Sequence, residues 1–154
     1  MSSVEARLTE AGHAVPAVAI PVAAYIPAVQ SGNLVFTSGQ LPSVEGTLLA
    51  TGLVGSDVDE ATAKSCAQQS ALNAIAAIKA VIGDLDKVVR VVKVVGFVAS
   101  APGFTGQPGV INGASETFAL AFGDAGVHAR SAVGVASLPL NAPVEVEVIV
   151  EVAL

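Results

Sequence analysis

The spacing of apolar and polar positions changes several times along this chain, and each change marks an element. "SSVEARLTEAG" opens with a short helical stretch that Ser2 or Ser3 can cap and Gly12 can end. An extended segment punctuated by Pro16, Pro21 and Pro27 follows. "YIPAVQSGNLVFTSGQLP" then has two β-prone runs around Ser31-Gly32-Asn33, which predicts a hairpin stopped by Gly39 and Pro42. "GTLLATG" adds a short third strand. The main helix starts from overlapping capping boxes, Ser56 with Asp59 and Asp57 with Glu60, and runs to Gly83. Its second half is apolar nearly all round, as expected of a helix pressed onto a sheet.

"KVVRVVKVVGFVAS" is too β-branched for a good helix and predicts a strand buried on both faces at its centre, ended by Pro102. A second helix covers "QPGVINGASETFALAFGDAG", with Pro108 in its first turn and Gly123 as its stop. Gly109 and Gly113 within it point to close packing or to a close approach by something else. "ARSAVGVASL" and the strictly alternating "VEVEVIVEVAL" are strands joined through "PLNAP". This order predicts a single α+β domain over residues 1–154, a mixed β-sheet with two helices on one face. Residues 1–24 form an additional N-terminal helix and proline-rich segment.

Composition adds one requirement. Hydrophobic residues make up 53% of the 154 positions and charged ones 13%, about half the usual share of charge. So little polar surface implies that the second sheet face is covered too, and a homo-oligomer would cover it. The net charge of −6 and the dispersed seven Lys and Arg leave no basic patch for nucleic acid. Prolines break the uncharged stretch from Ala14 to Val44, so it cannot form a membrane helix, and Glu5 and Glu10 do not suit a signal peptide. A cytoplasmic protein without membrane attachment is expected.

Candidate chemistry is sparse. His13 and His128 have no partner at metal-ligand spacing, and no loop suits a nucleotide, so no metal and no cofactor is expected. The lone Cys66 lies within the main helix and reads as a packed thiol. Arg130 stands at a strand entrance, where its fork of donors suits a carboxylate, although a salt bridge to Asp124 or Glu145 would account for it equally. Glu145, Glu147 and Glu151 share one strand face, which reads as a solvated or aggregation-resistant edge. Ser38 with the Gly39 amide could bind a small anion or simply make a turn. Tyr25, the one tyrosine, needs a partner for its hydroxyl, and Asn112 faces either a cleft or solvent.

Together "SGQLP" with Tyr25 upstream, "VING" and "HARSAVGVASLPLNAPVEVEVIVE" resemble the RidA/YjgF family of reactive-imine deaminases, over roughly Tyr25 to Val152. The resemblance implies a chorismate-mutase-like homotrimer with a central barrel and ligand clefts between subunits. It also implies roles. Arg130 would grip the carboxylate of a 2-imino or enamino acid such as 2-aminoacrylate, and Glu145 would position the attacking water. Tyr25, Ser38, Gly39 and Asn112 would complete the cleft, and the products would be a 2-keto acid and ammonia.

The chain departs from that pattern. Gly134 and Ser137 stand where two charged residues are usual, Ser115 stands where a tyrosine is usual, and "FVASAPGF" lacks the customary aspartate. The chain thus resembles a divergent branch. The alternative function is a non-catalytic module that binds a small carboxylate-bearing metabolite. The family's endoribonuclease or translation-inhibitor label fits this acidic, aromatic-poor chain least.

Overall fold

The computed structural model describes residues 1–21 and 23–154; of the expected proline-rich segment, Val22 lies outside the described residues. Helix α1 (Ser3–Glu10) begins in a complete capping box: the Ser2 hydroxyl accepts from the Glu5 N–H, and the Glu5 carboxylate accepts from the Ser2 N–H. Asp86 accepts from the Ser3 and Val4 amides, and Arg7 donates to the Ala121 carbonyl. These contacts, with buried Val4 and Leu8, dock α1 onto the domain.

The predicted hairpin is β1 (Ala28–Ser31) and β2 (Leu34–Thr37). The expected third strand is half of a separate two-stranded ribbon, β3 (Ser43–Val44) with β4 (Thr47–Leu48). Helix α2 (Glu60–Ile82) starts later than its sequence suggests. Asp59 is the cap, accepting from the Thr62 N–H at 2.7 Å. Asp57 instead accepts from the Leu53 N–H in the preceding turn, so neither predicted capping box forms. The helix ends at Gly83, whose φ of 78° few other residues adopt.

Strand β5 (Val88–Ala99), helix α3 (Gln107–Phe122) and strand β6 (Ala129–Val135) form a parallel β-α-β unit, and β7 (Val144–Val152) closes the fold. The five-stranded sheet has the order β1-β2-β7-β5-β6, antiparallel except for the β5–β6 pair. Strict alternation in β7 sorts its side chains. Val144, Val146, Val148, Val150 and Val152 are buried on the side that α2 covers, and the residues between them lie on the opposite face.

Ile75, Ile78, Ile111 and Phe118 cover the helix side of the sheet. Each such side chain contributes about 1.5–3 kcal/mol by leaving water. Gly113 lets α2 and α3 meet closely, because a Cβ there would lie 2.1 Å from the Lys64 carbonyl oxygen. Gly109 has open space around it and no such role.

The other sheet face differs from expectation. Strand β5 is buried on its helix side only, while Val95 and Phe97 are half-covered. Val29, Phe36 and Val133 nearby are exposed. Among the described residues this face is only partly covered within one chain, apolar at Val29, Phe36, Val95, Phe97 and Val133 and interrupted by the glutamates of β7.

Candidate functional site

Arg130 is paired with Val94 in the parallel β5–β6 ladder, so its side chain shares the helix side of the sheet. There α3 receives it. One terminal nitrogen, Nη1, donates to Asn112 Oδ1 at 2.8 Å and to Ser115 Oγ at 3.2 Å. The other, Nη2, donates to the Pro108 carbonyl at 3.3 Å. Every acceptor is neutral. Neither Asp124 nor Glu145 pairs with Arg130, and among the described residues the guanidinium has no counter-ion.

Ser115 links Arg130 to His128. The His128 Nδ1 lies 2.6 Å from the Gly126 carbonyl, which can only accept, so Nδ1 carries the proton. Nε2 is then an acceptor for the Ser115 hydroxyl at 2.9 Å, and the Ser115 oxygen in turn accepts from Arg130. This tautomer is assigned from the network. Phe118 meets the imidazole edge-on at 6.0 Å and holds its plane. Sequence reasoning missed this support, since His128 was tested only as a metal ligand. Its position two residues before Arg130 was the available signal.

Glu145 occupies a second cluster. It opens β7 opposite Phe97, on the face away from the helices. Gln40 exchanges both backbone hydrogen bonds with Val146, which lays Gly39 against the Glu145 side chain. A Cβ on Gly39 would lie 1.9 Å from Glu145 Oε1, so only glycine leaves that carboxylate in place. Burial raises the Glu145 pKa above the usual carboxylate value, and the Glu147 carboxylate on the same face raises it further. No donor among the described residues bonds it.

Ser38 behaves differently from a free anion donor. Its hydroxyl donates to the Ile26 carbonyl at 2.6 Å and its N–H to the Pro27 carbonyl at 2.8 Å. It therefore braces the segment that carries Tyr25 and offers a ligand only its oxygen lone pairs. The Gly39 N–H has no acceptor among the described residues. Tyr25 is 44% exposed and stands with Gly39 at the wall of a cavity of about 530 Å³.

The structure thus brings Arg130 together with Asn112, and Glu145 with Gly39, in separate clusters, while Ser38 and Tyr25 stand on the segments beside Gly39. Three residues of β5 and two strand spacings separate them, about 14 Å between Cα atoms. Their side chains point to opposite faces. Among the described residues no group of His, Cys, Asp and Glu could hold a metal ion, and no helix is long and apolar enough to cross a membrane. Burial pushes the Cys66 thiol up to about 11, as befits a packed side chain.

A mixed sheet backed by two helices, with a parallel β-α-β unit at one edge, defines a chorismate-mutase-like α+β domain. The model of the family described as "YjgF/chorismate_mutase-like, putative endoribonuclease" matches residues 5–152, and the chain belongs to that family. It is 43% identical to Protein TCP17 of Trypanosoma cruzi, over 96% of this chain and 93% of that protein. Among solved structures it is similar to Atu1372 of Agrobacterium tumefaciens, a protein of unknown function, at 49% identity and a TM-score of 0.91. That match covers 98% of this chain and 92% of the other. Escherichia coli TdcF with bound serine is similar at 26% identity and a TM-score of 0.61, over 90% of this chain and 94% of TdcF.

Proposed function

We propose that this protein is a hydrolytic deaminase of 2-imino and enamino acids, working in a site shared by two protomers of a homotrimer in the cytoplasm. The observation that carries this reading is Arg130: a guanidinium aimed and held by three neutral acceptors, with no acid to neutralise it among the described residues. A carboxylate is the ligand that its fork fits. The serine bound to TdcF carries such a carboxylate.

The two clusters complement each other. One protomer supplies the cation and its neighbour the base, if three chains close their partly covered sheet faces into a barrel. The substrate carboxylate then lies on Arg130 and Asn112, and the imine carbon faces Glu145 and Gly39 of the adjacent chain. A protonated imine is already electrophilic, so orientation of substrate and water supplies most of the catalysis. Glu145, with its raised pKa, takes a proton from the attacking water as the new C–O bond forms. Glu145 returns that proton to the carbinolamine nitrogen, the C–N bond breaks to release ammonia, and the hydroxyl proton passes to Glu145 as the carbonyl of the 2-keto acid forms. None of these steps requires a metal or a cofactor.

A second reading is a carboxylate-binding module without turnover. It is favoured by Ser115, which stands beside Arg130 as part of the scaffold that holds it. An endoribonuclease role is disfavoured by a net charge of −6 and the absence of a basic patch.

The test is complementation. Arg130→Ala and Glu145→Gln chains are each inactive on freshly generated 2-aminoacrylate, and co-assembly restores activity. Random mixing in a cyclic assembly regenerates about a quarter of the intact sites. Mixed assemblies that stay inactive, while the wild-type protein turns over, overturn the shared site. Calorimetric binding of a 2-keto acid without turnover of any imine selects the binding module.

A further inference from the structure

Residues 16–21 are not used by the chemistry above, yet they build a wall. Pro16 to Pro21 run beside the β3–β4 ribbon, and between them lies the cavity of about 530 Å³. Val44 and Leu48 of the ribbon, Val18 and Ile20 of the strap, and Leu140 give it mainly apolar sides. The strap is tied on both sides of this stretch: His13 to Gln68 of α2, and Ile26 and Pro27 to Ser38. Proline fixes φ at Pro16 and Pro21, so little of the wall's freedom is lost when a ligand enters.

Polar groups around the cavity are largely spent within the protein. The Asn73 amide donates to the Leu41 and Ser43 carbonyls, and the Gln40 amide donates to the Ser38 carbonyl. Glu45, exposed at the turn of the ribbon, makes the charged part of the rim negative. Such a space takes hydrocarbon and disfavours a second carboxylate. Its position links it to the site, because Gly39 and Tyr25 line it and Gly39 also touches Glu145.

We propose that this cavity is the side-chain subsite of the imino-acid site, selecting substrates whose side chains are aliphatic and carry four or more carbons. The inference rests on the reading of the site given above and names its substrate class. Each methylene taken out of water is worth about a four-fold gain in affinity.

The experiment compares 2-keto acids as product analogues by calorimetry: pyruvate, 2-oxohexanoate, 4-methyl-2-oxopentanoate and 2-oxoglutarate. The two six-carbon apolar acids should bind at least about ten-fold tighter than pyruvate, and 2-oxoglutarate should gain nothing. Ala19→Trp, which fills the cavity from the strap, should bring the ratio of long-chain to pyruvate affinity close to one. Val44→Ser, at a partly exposed position where folding is at little risk, should lower the same ratio about three-fold. Pyruvate binding and imine turnover without a chain-length preference, or a preference that survives both substitutions, overturn the subsite and leave the deaminase reading standing. If no 2-keto acid binds, the deaminase reading falls and takes the subsite with it. A separate arm follows the Val44 and Leu48 methyl resonances with 1-hexanol, which bypasses Arg130. Saturable shifts there support an apolar pocket, and no shift overturns it whatever Arg130 does.

Discussion

Arg130 and Glu145 are charged groups on one sheet in opposite circumstances. Among the described residues the guanidinium has three protein acceptors and no counter-ion, whereas the carboxylate has no donor and a like-charged neighbour. The first is held in one orientation while charged. The second is pressed toward its neutral form by burial and by Glu147. Within a chain they are about 14 Å apart on opposite faces, too far to neutralise each other. In the site proposed above each is half of a pair, and the difference between a fixed cation and a destabilised anion suits the two roles assigned there, gripping a substrate and moving a proton.

The largest expected effect tests the anion. Glu145→Gln should lower kcat on 2-aminoacrylate by about 10²- to 10⁴-fold while 2-keto acids still bind. It should also raise Tm at neutral pH. The folded state holds this proton more tightly than the unfolded chain does, so the charged carboxylate costs stability above its raised pKa. Below the ordinary carboxylate range that cost is absent, and the gain in Tm should vanish there. The acid limb of the wild-type kcat profile should fall above the usual carboxylate range and report the same group. A Tm unchanged by the substitution at pH 7 would remove the strained-anion half of the comparison.

Next comes the cation. Arg130→Ala should weaken 2-keto acid binding about a hundred-fold, the scale of losing charge-assisted hydrogen bonds to a carboxylate. Stability should change by no more than about 1 kcal/mol, because the side chain is half-exposed and its acceptors can meet water. Arg130→Lys should recover only part of the loss, since a point charge cannot replace the fork that Asn112 and the Pro108 carbonyl align. Calorimetry and thermal unfolding on the same samples separate the two effects.

Much of the fold was legible because its signals are local. The valines and glutamates of "VEVEVIVEV" alternate, Pro108 opens α3, and Gly83 closes α2, and each rests on backbone geometry that neighbours do not override. The start of α2 was not legible. Ser56 and Asp57 head the boxes in sequence, but the Leu53 turn takes the Asp57 carboxylate and Asp59 caps the helix instead. For the candidate site the sequence supplies residues but not their placement, because a list of positions does not say which face each strand presents, and Arg130 and Glu145 lie on opposite ones. Gly134 shows the same limit. In sequence it reads as a lost charged residue, but a Cβ there would sit 2.8 Å from Gln107 Nε2 and 3.0 Å from Ser100 Oγ.

Gly39→Ala sharpens the carboxylate half without touching its charge. The added methyl must displace the Glu145 carboxylate, which is the movable end of a side chain, so the fold should survive. Catalysis should not: a shift of about 1 Å in a proton-moving group costs on the order of a hundred-fold. Binding of pyruvate through Arg130 should weaken far less than kcat falls. Equal losses in both would mean that Gly39 serves the ligand directly through its free N–H.

The smallest effect concerns the link between Arg130 and His128. Ser115→Ala removes one of three acceptors from the guanidinium and the donor from His128 Nε2. Asn112 and the Pro108 carbonyl remain, so 2-keto acid affinity should fall only about three- to ten-fold. A merely structural serine would lower Tm and leave affinity alone, whereas a positioning serine lowers affinity even where the protein is fully folded. Ser115→Thr keeps the hydroxyl and should restore most of the binding. Nitrogen chemical shifts of His128 supply the independent readout: the wild-type ring should show the Nδ1–H form, and Ser115→Ala should leave that proton on Nδ1, donated to the Gly126 carbonyl, while changing the Nε2 signal. A ring that already exchanges between both tautomers in the wild-type protein would mean that Ser115 does not orient Arg130, and the cation would then be held by α3 alone.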